Sequence, residues 1–146
     1  MSSPEGNAEL LRSYVTVLRD EGIAAVNKQF DRFIHPDIEW VPGLITLGQS
    51  TYHGADAFRA YIREAAPVSD GSLTIREVRP VGEDCALALT YIDYKSKDES
   101  FYSEYALAAR VKDDQLCELR GFISYAKAEE AVEAMATSSA ERSSDA

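Results

Sequence analysis

Four long strand-like segments fill the second half of the chain, and very short connections join two pairs of them. They run over Leu73–Val81, Cys85–Lys95, Phe101–Lys112 and Gln115–Ala126. Period-two alternation places successive side chains on opposite faces of a strand. In the second segment one face reads Leu87, Leu89, Tyr91, Asp93, and the other reads Ala88, Thr90, Ile92, Tyr94. Gly82-Glu83-Asp84 joins the first pair and Lys112-Asp113-Asp114-Gln115 the last pair. Connections of this length close antiparallel hairpins. A meander of long strands is therefore the frame on which everything else must pack.

The first half is helical. Leu11, Tyr14, Val15 and Leu18 follow the spacing of one helix face. Asp20-Glu21-Gly22 interrupts the pattern. Ile23, Val26, Phe30 and Phe33 mark a second helix, ending near His35-Pro36 because a residue before proline is pushed out of helical geometry. Ile38–Val41 reads as a short strand stopped by Pro42-Gly43. Phe58, Tyr61, Ile62 and Ala65 mark a third helix that ends before Pro67. Ala128–Ala136, rich in Ala and Glu, closes the chain as a short helix. Helices followed by a meander give an α+β domain. Three N-terminal helices on one face of a strongly curved antiparallel sheet would enclose a cone, with a ligand pocket at its mouth.

Length and charge narrow the function. The 146 residues suit one domain with a real core. That domain is expected over residues 8–136, between disordered tails at 1–7 and 137–146 that are small, polar and unpatterned. The net charge of −10 argues against nucleic-acid binding, which needs clustered Lys and Arg. The sequence holds no glycine-rich phosphate loop and no zinc or EF-hand spacing, so neither cofactor nor metal is expected. It also has no apolar run of membrane-spanning length and no signal-peptide pattern, so a cytoplasmic location is the default. Cys85 and Cys117 read as thiols in a reducing compartment. His35 before Pro36 reads as a surface turn residue. His53 reads as a loop residue against Tyr52, with reach to the cavity mouth as a neutral donor or acceptor.

Three local phrases carry a family likeness: HPDIEW at His35–Trp40, YHGADAFRAYI at Tyr52–Ile62 and RVKDDQLCELRGF at Arg110–Phe122. With the order of elements, they make residues 8–136 resemble the nuclear transport factor 2-like superfamily, and within it the SnoaL-like group. The resemblance implies a cystatin-like α+β barrel roll. It leaves activity open, since the group spans ketosteroid isomerases, limonene epoxide hydrolases, polyketide cyclases, dehydratases and non-catalytic domains. Isomerase positions fall on Val41 or Pro42 for the base, Tyr14 for the tyrosine and Leu107 for the second acid. Val41, Pro42 and Leu107 cannot do that work. The epoxide hydrolase motif falls on Tyr91-Ile92-Asp93, keeping the aspartate but losing the arginine, and its second aspartate falls on Gly121. An aspartate common before the closing helix is here Ser124.

Alignment and alternation together give an inward list: Tyr14, Trp40, Tyr61, Tyr91, Asp93, Tyr105, Leu107, Leu119 and Ile123. An aromatic lining with phenols and one acid suits a flat, apolar small molecule. Asp93, Tyr91 and Tyr14 are the candidate catalytic residues, with Asp93 as proton carrier and the phenols as hydrogen-bond donors. Trp40, Tyr61, Tyr105, Leu107, Leu119, Ile123 and His53 are the candidate ligand contacts. The opposite face carries Tyr102, Glu104, Arg110, Glu118, Arg120 and Phe122, a mixture suited to a two-fold homodimer contact near Arg120 and Phe122. Two functions follow. One is a cofactor-independent enzyme of isomerase, cyclase or dehydratase type. The other is a non-catalytic ligand-binding or dimeric assembly domain.

Overall fold

The computed structural model describes residues 3–42, 51–65, 71–95 and 100–144. Helix α1 spans Pro4–Glu21. It starts inside the segment expected to be a tail. Gly6 N–H donates to Ser3 Oγ at 3.0 Å, and Pro4 occupies the first turn, where its missing N–H costs nothing. The helix stops at Gly22, whose φ of 87° suits glycine alone. The expected second helix is two short pieces, α2 (Ala24–Lys28) and α3 (Phe30–Phe33), broken at Gln29 with φ −115° and ψ 21°.

Strand β1 (Ile34–Val41) begins directly after α3, earlier than Ile38. His35 is consequently buried in the strand and is not a surface turn residue. Its Nδ1 accepts from Asp37 N–H at 3.0 Å, and its Nε2 stands 3.5 Å from Asp113. Both ring nitrogens thus face a polar partner. A two-residue strand β2 (Tyr52–His53) pairs antiparallel with β1, and α4 (Ala55–Ala65) follows.

The meander comprises β3 (Gly71–Val81), β4 (Cys85–Lys95), β5 (Ser100–Lys112) and β6 (Gln115–Phe122). Asp113 and Asp114 both have positive φ, at 55° and 61°, the geometry of a two-residue hairpin turn. The sheet order is β2-β1-β6-β5-β4-β3, and the sheet is curved but unclosed. One pairing departs from the antiparallel expectation. β1 lies parallel to β6, with Trp40 beside Leu119, because the chain returns to β1 only after the whole meander has been laid down.

β6 ends at Phe122, four residues short of the expected Ala126. Helix α5 (Tyr125–Ser144) takes over, with Glu104 Oε1 accepting from Tyr125 N–H at 2.9 Å. It also runs through most of the segment expected to be a disordered tail. Ala128, Val132 and Met135 anchor it by burial, and extending an anchored helix costs far less than starting one.

Two apolar clusters result, one on each face of the sheet. Helices α1 to α4 cover the inner face, over Ala86, Ala88, Leu107, Ala109 and Leu119. α5 covers the outer face, over Cys85, Leu87, Leu89, Ala106 and Ala108.

Candidate functional site

A chain of touching rings lines the inner face. Trp40 of β1 stacks on Phe58 of α4, with centroids 5.3 Å apart and planes 5° from parallel. Phe30 meets Phe58 edge-on at 5.8 Å. Tyr61, one helical turn after Phe58, meets Trp40 edge-on at 5.5 Å, and Tyr52 of β2 meets Tyr61 at 5.1 Å. Tyr14 of α1 pairs edge-on with Phe33 at 5.8 Å. Phe58 is on this face because residues three apart on a helix share one. Trp40 is there because β1 alternates Ile38, Trp40 inward and Asp37, Glu39 outward.

The rings themselves carry no charge, but two guanidinium groups lie over them: Arg59 is 4.2 Å from the Phe30 ring centroid and Arg32 is 4.8 Å from that of Phe33. Burial, with Tyr61 close by, pushes the Tyr14 hydroxyl well above the ordinary phenol range, so it keeps its proton at neutral pH. Trp40 is 4% exposed, and among the described residues its indole Nε1–H has no hydrogen-bond partner. Such a buried, unused donor costs about 1–3 kcal/mol.

Beside the rings the inner face is less deeply buried. Leu73, Ile92 and Ser103 lie opposite one another across β3, β4 and β5, as do Ile75, Thr90 and Tyr105. Leu73, Ile75 and Tyr105 are partly buried and pack against the ring cluster. Thr90 Oγ1 donates to the Tyr105 carbonyl at 2.6 Å. Leu107 and Leu119 are fully buried beneath.

The inward list therefore divides. Tyr14, Trp40, Tyr61, Tyr105, Leu107 and Leu119 share the inner face. Asp93 and Tyr91 are on the outer face. Asp93 pairs in register with Tyr102, and Tyr91 with Glu104. The Tyr91 ring meets Tyr102 at 6.1 Å. They continue the row of Leu87 and Leu89, which α5 covers. Alternation groups these four residues correctly but does not say which layer they face. Ile123 is 57% exposed, because the strand has ended before it. His53 is exposed and lies opposite Glu39. Phe58, Phe30 and Tyr52 were missing from that inward set. The signal for Tyr52 was its place beside His53 after the Pro42-Gly43 break, but a two-residue strand is too short to show alternation.

The outer face is occupied rather than bare. Arg110 donates to Glu118 Oε1 and to the Met135 carbonyl of α5, each at 2.9 Å. Arg120 Nε donates to Glu118 Oε2 at 2.7 Å. Phe122 packs into the cluster beneath α5. Tyr102 stays outside it, 72% exposed. Elsewhere, a surface groove of about 340 Å³ between α1 and the β5–β6 turn is lined by Ser3, Asn7, Leu10, Ser13 and Asp114, and by none of the rings. Among the described residues no group of three or more His, Cys, Asp or Glu is placed to hold a metal. No described helix is long and apolar enough to cross a membrane.

No family model matches the chain, and no curated protein matches it. Solved structures do. A protein of unknown function with a cystatin-like fold from Xanthomonas campestris is 16% identical, with a TM-score of 0.67 over 86% of this chain and 96% of that one. An NTF2-like protein of unknown function from Burkholderia pseudomallei is 19% identical, with a TM-score of 0.64 over 87% and 95%. TerC, co-crystallised with polyporic acid, is 18% identical, with a TM-score of 0.63 over 88% and 98%. At these identities the likeness is one of fold. The chain has the nuclear transport factor 2-like, cystatin-like α+β fold.

Proposed function

We propose that this chain, with its nuclear transport factor 2-like fold, binds a flat, apolar small molecule on the inner face of its sheet. The observation that carries the reading is the row of rings Phe58, Trp40, Tyr61 and Tyr52, set beside the partly buried strip of Leu73, Ile75 and Tyr105. Apolar walls with few polar groups are what small-molecule sites offer. The solved neighbour TerC, crystallised with polyporic acid, shows one protein of this fold beside an organic ligand and supports the reading.

Binding without turnover is preferred over proton-transfer catalysis. Isomerisation, cyclisation or dehydration needs a group that gives and takes a proton near the working pH. Asp93 and Tyr91 are across the sheet from the rings, and Tyr14 keeps its proton. The dimer reading narrows too. α5 takes up Arg110 and Phe122, leaving Tyr102 and Arg120 as the outer-face residues open to a second copy. A two-fold contact there would sediment at about twice 16.1 kDa. A cytoplasmic setting suits the unpaired Cys85 and Cys117.

Trp40 is the one tryptophan of the chain, so its emission reports directly on the site. Titration with neutral two- and three-ring aromatic compounds should change that emission saturably. Tyr61→Ala should weaken the affinity, and Asp93→Asn should leave it as it was. Equal loss in both variants, or no saturable binder in the panel, sinks the reading.

A further inference from the structure

We infer that Trp40 is the specificity-determining residue of this site, donating its indole N–H to an uncharged acceptor oxygen on the ligand. This rests on the binding reading above. Three observations carry it. The indole nitrogen is buried and has no partner among the described residues, although buried polar groups are nearly always paired. The rings that touch the indole, Phe58 and Tyr61, are uncharged, so they offer no countercharge to an anionic acceptor, while a carbonyl or ether oxygen needs none. The third is position. Trp40 stacks on Phe58 and also meets Tyr61, and Tyr61 in turn meets Tyr52 of β2. A ligand packed on Tyr61 therefore lies next to the indole.

The site should thus distinguish flat molecules of one shape by a single oxygen. Fluorene and 9-fluorenone are such a pair, alike in outline and differing by a carbonyl. Isothermal titration of wild type and Trp40→Phe with both compounds isolates the contact, because the smaller phenylalanine ring affects two ligands of one outline alike, while the lost donor affects only fluorenone. The ratio of the fluorene Kd to the fluorenone Kd should fall about fivefold in Trp40→Phe, the worth of one net hydrogen bond. A second readout needs no variant. The proton–nitrogen spectrum of the wild type holds one indole resonance, which should move downfield with fluorenone and not with fluorene. A ratio unchanged by Trp40→Phe, or an indole proton indifferent to fluorenone while both compounds bind, overturns the Trp40 assignment and leaves the binding site standing. If neither compound binds the wild type, both readings fall together.

Discussion

Phe58→Ala probes the stacked heart of the inner face. Phe58 is 0% exposed, lies flat on Trp40 and takes the edge of Phe30. Truncating a buried phenylalanine costs about 3–5 kcal/mol through lost burial and the cavity left behind. Here two aromatic contacts go as well, each worth about 0.5–1.5 kcal/mol beyond burial. The expected loss is therefore at the upper end, about 4–5 kcal/mol. A domain of this kind has roughly 5–15 kcal/mol in all, so the variant should fold but with a much lower midpoint. Urea denaturation followed by Trp40 emission measures the loss, with circular dichroism as a second probe of the same transition. Phe58→Leu should lose markedly less, since it keeps much of the volume. Tyr102→Ala, at a side chain 72% exposed, should stay within about 0.5 kcal/mol of wild type. A loss below about 1 kcal/mol in Phe58→Ala refutes the reasoning. The rings would then not form one packed unit, and the site built on them would lose its wall.

Three other perturbations test the remaining layers. Val132→Asp puts an unpaired charge at a position 1% exposed, so α5 should leave the sheet; helical circular dichroism should drop while Trp40 emission stays native, because the two clusters lie on opposite faces. Gly82→Ala should cost about 1–3 kcal/mol in thermal or urea melts, since φ is +64° and the new Cβ would stand 3.0 Å from Ala136 Cβ. The Cys85 thiol is pushed up to about 12 by burial, with Asp84 adding to the effect. Its folded form thus holds a proton that the unfolded chain releases from about pH 8.5 upward. Stability from this group is complete below that pH and falls as pH rises toward 12, by at most about 1.4 kcal/mol per unit. Denaturation from pH 8 to 10 should show a shallower decline in Cys85→Ala than in wild type; identical slopes would remove Cys85 from the account.

Much of the inner face was legible from periodicity, because helices and strands repeat with known periods. Tyr14, Trp40, Tyr61, Leu107 and Leu119 each occupied a predictable face, and each is buried on the inner side. The misplacement of Asp93 has a definite cause. Ala86, Ala88 and Thr90 on one face of β4 are as deeply buried as Cys85 and Leu87 on the other. When both faces carry apolar residues, alternation separates two sets without ranking them. His35 was misread for a related reason. The rule for residues before proline gives backbone geometry, and extended geometry serves a buried strand as well as an exposed turn.

Local sequence, by itself, determined the strands, their hairpin turns and the α+β class. These depend on side-chain period, on turns that need few residues, and on interactions between near neighbours in the chain. Tertiary structure alone decided three things: the parallel docking of β1 on β6, the cover of α5 over the outer face, and the partnerless indole of Trp40. Each depends on which distant surfaces meet. The free energy of such contacts comes from area removed from water by segments far apart in the chain, and local propensity carries no record of it.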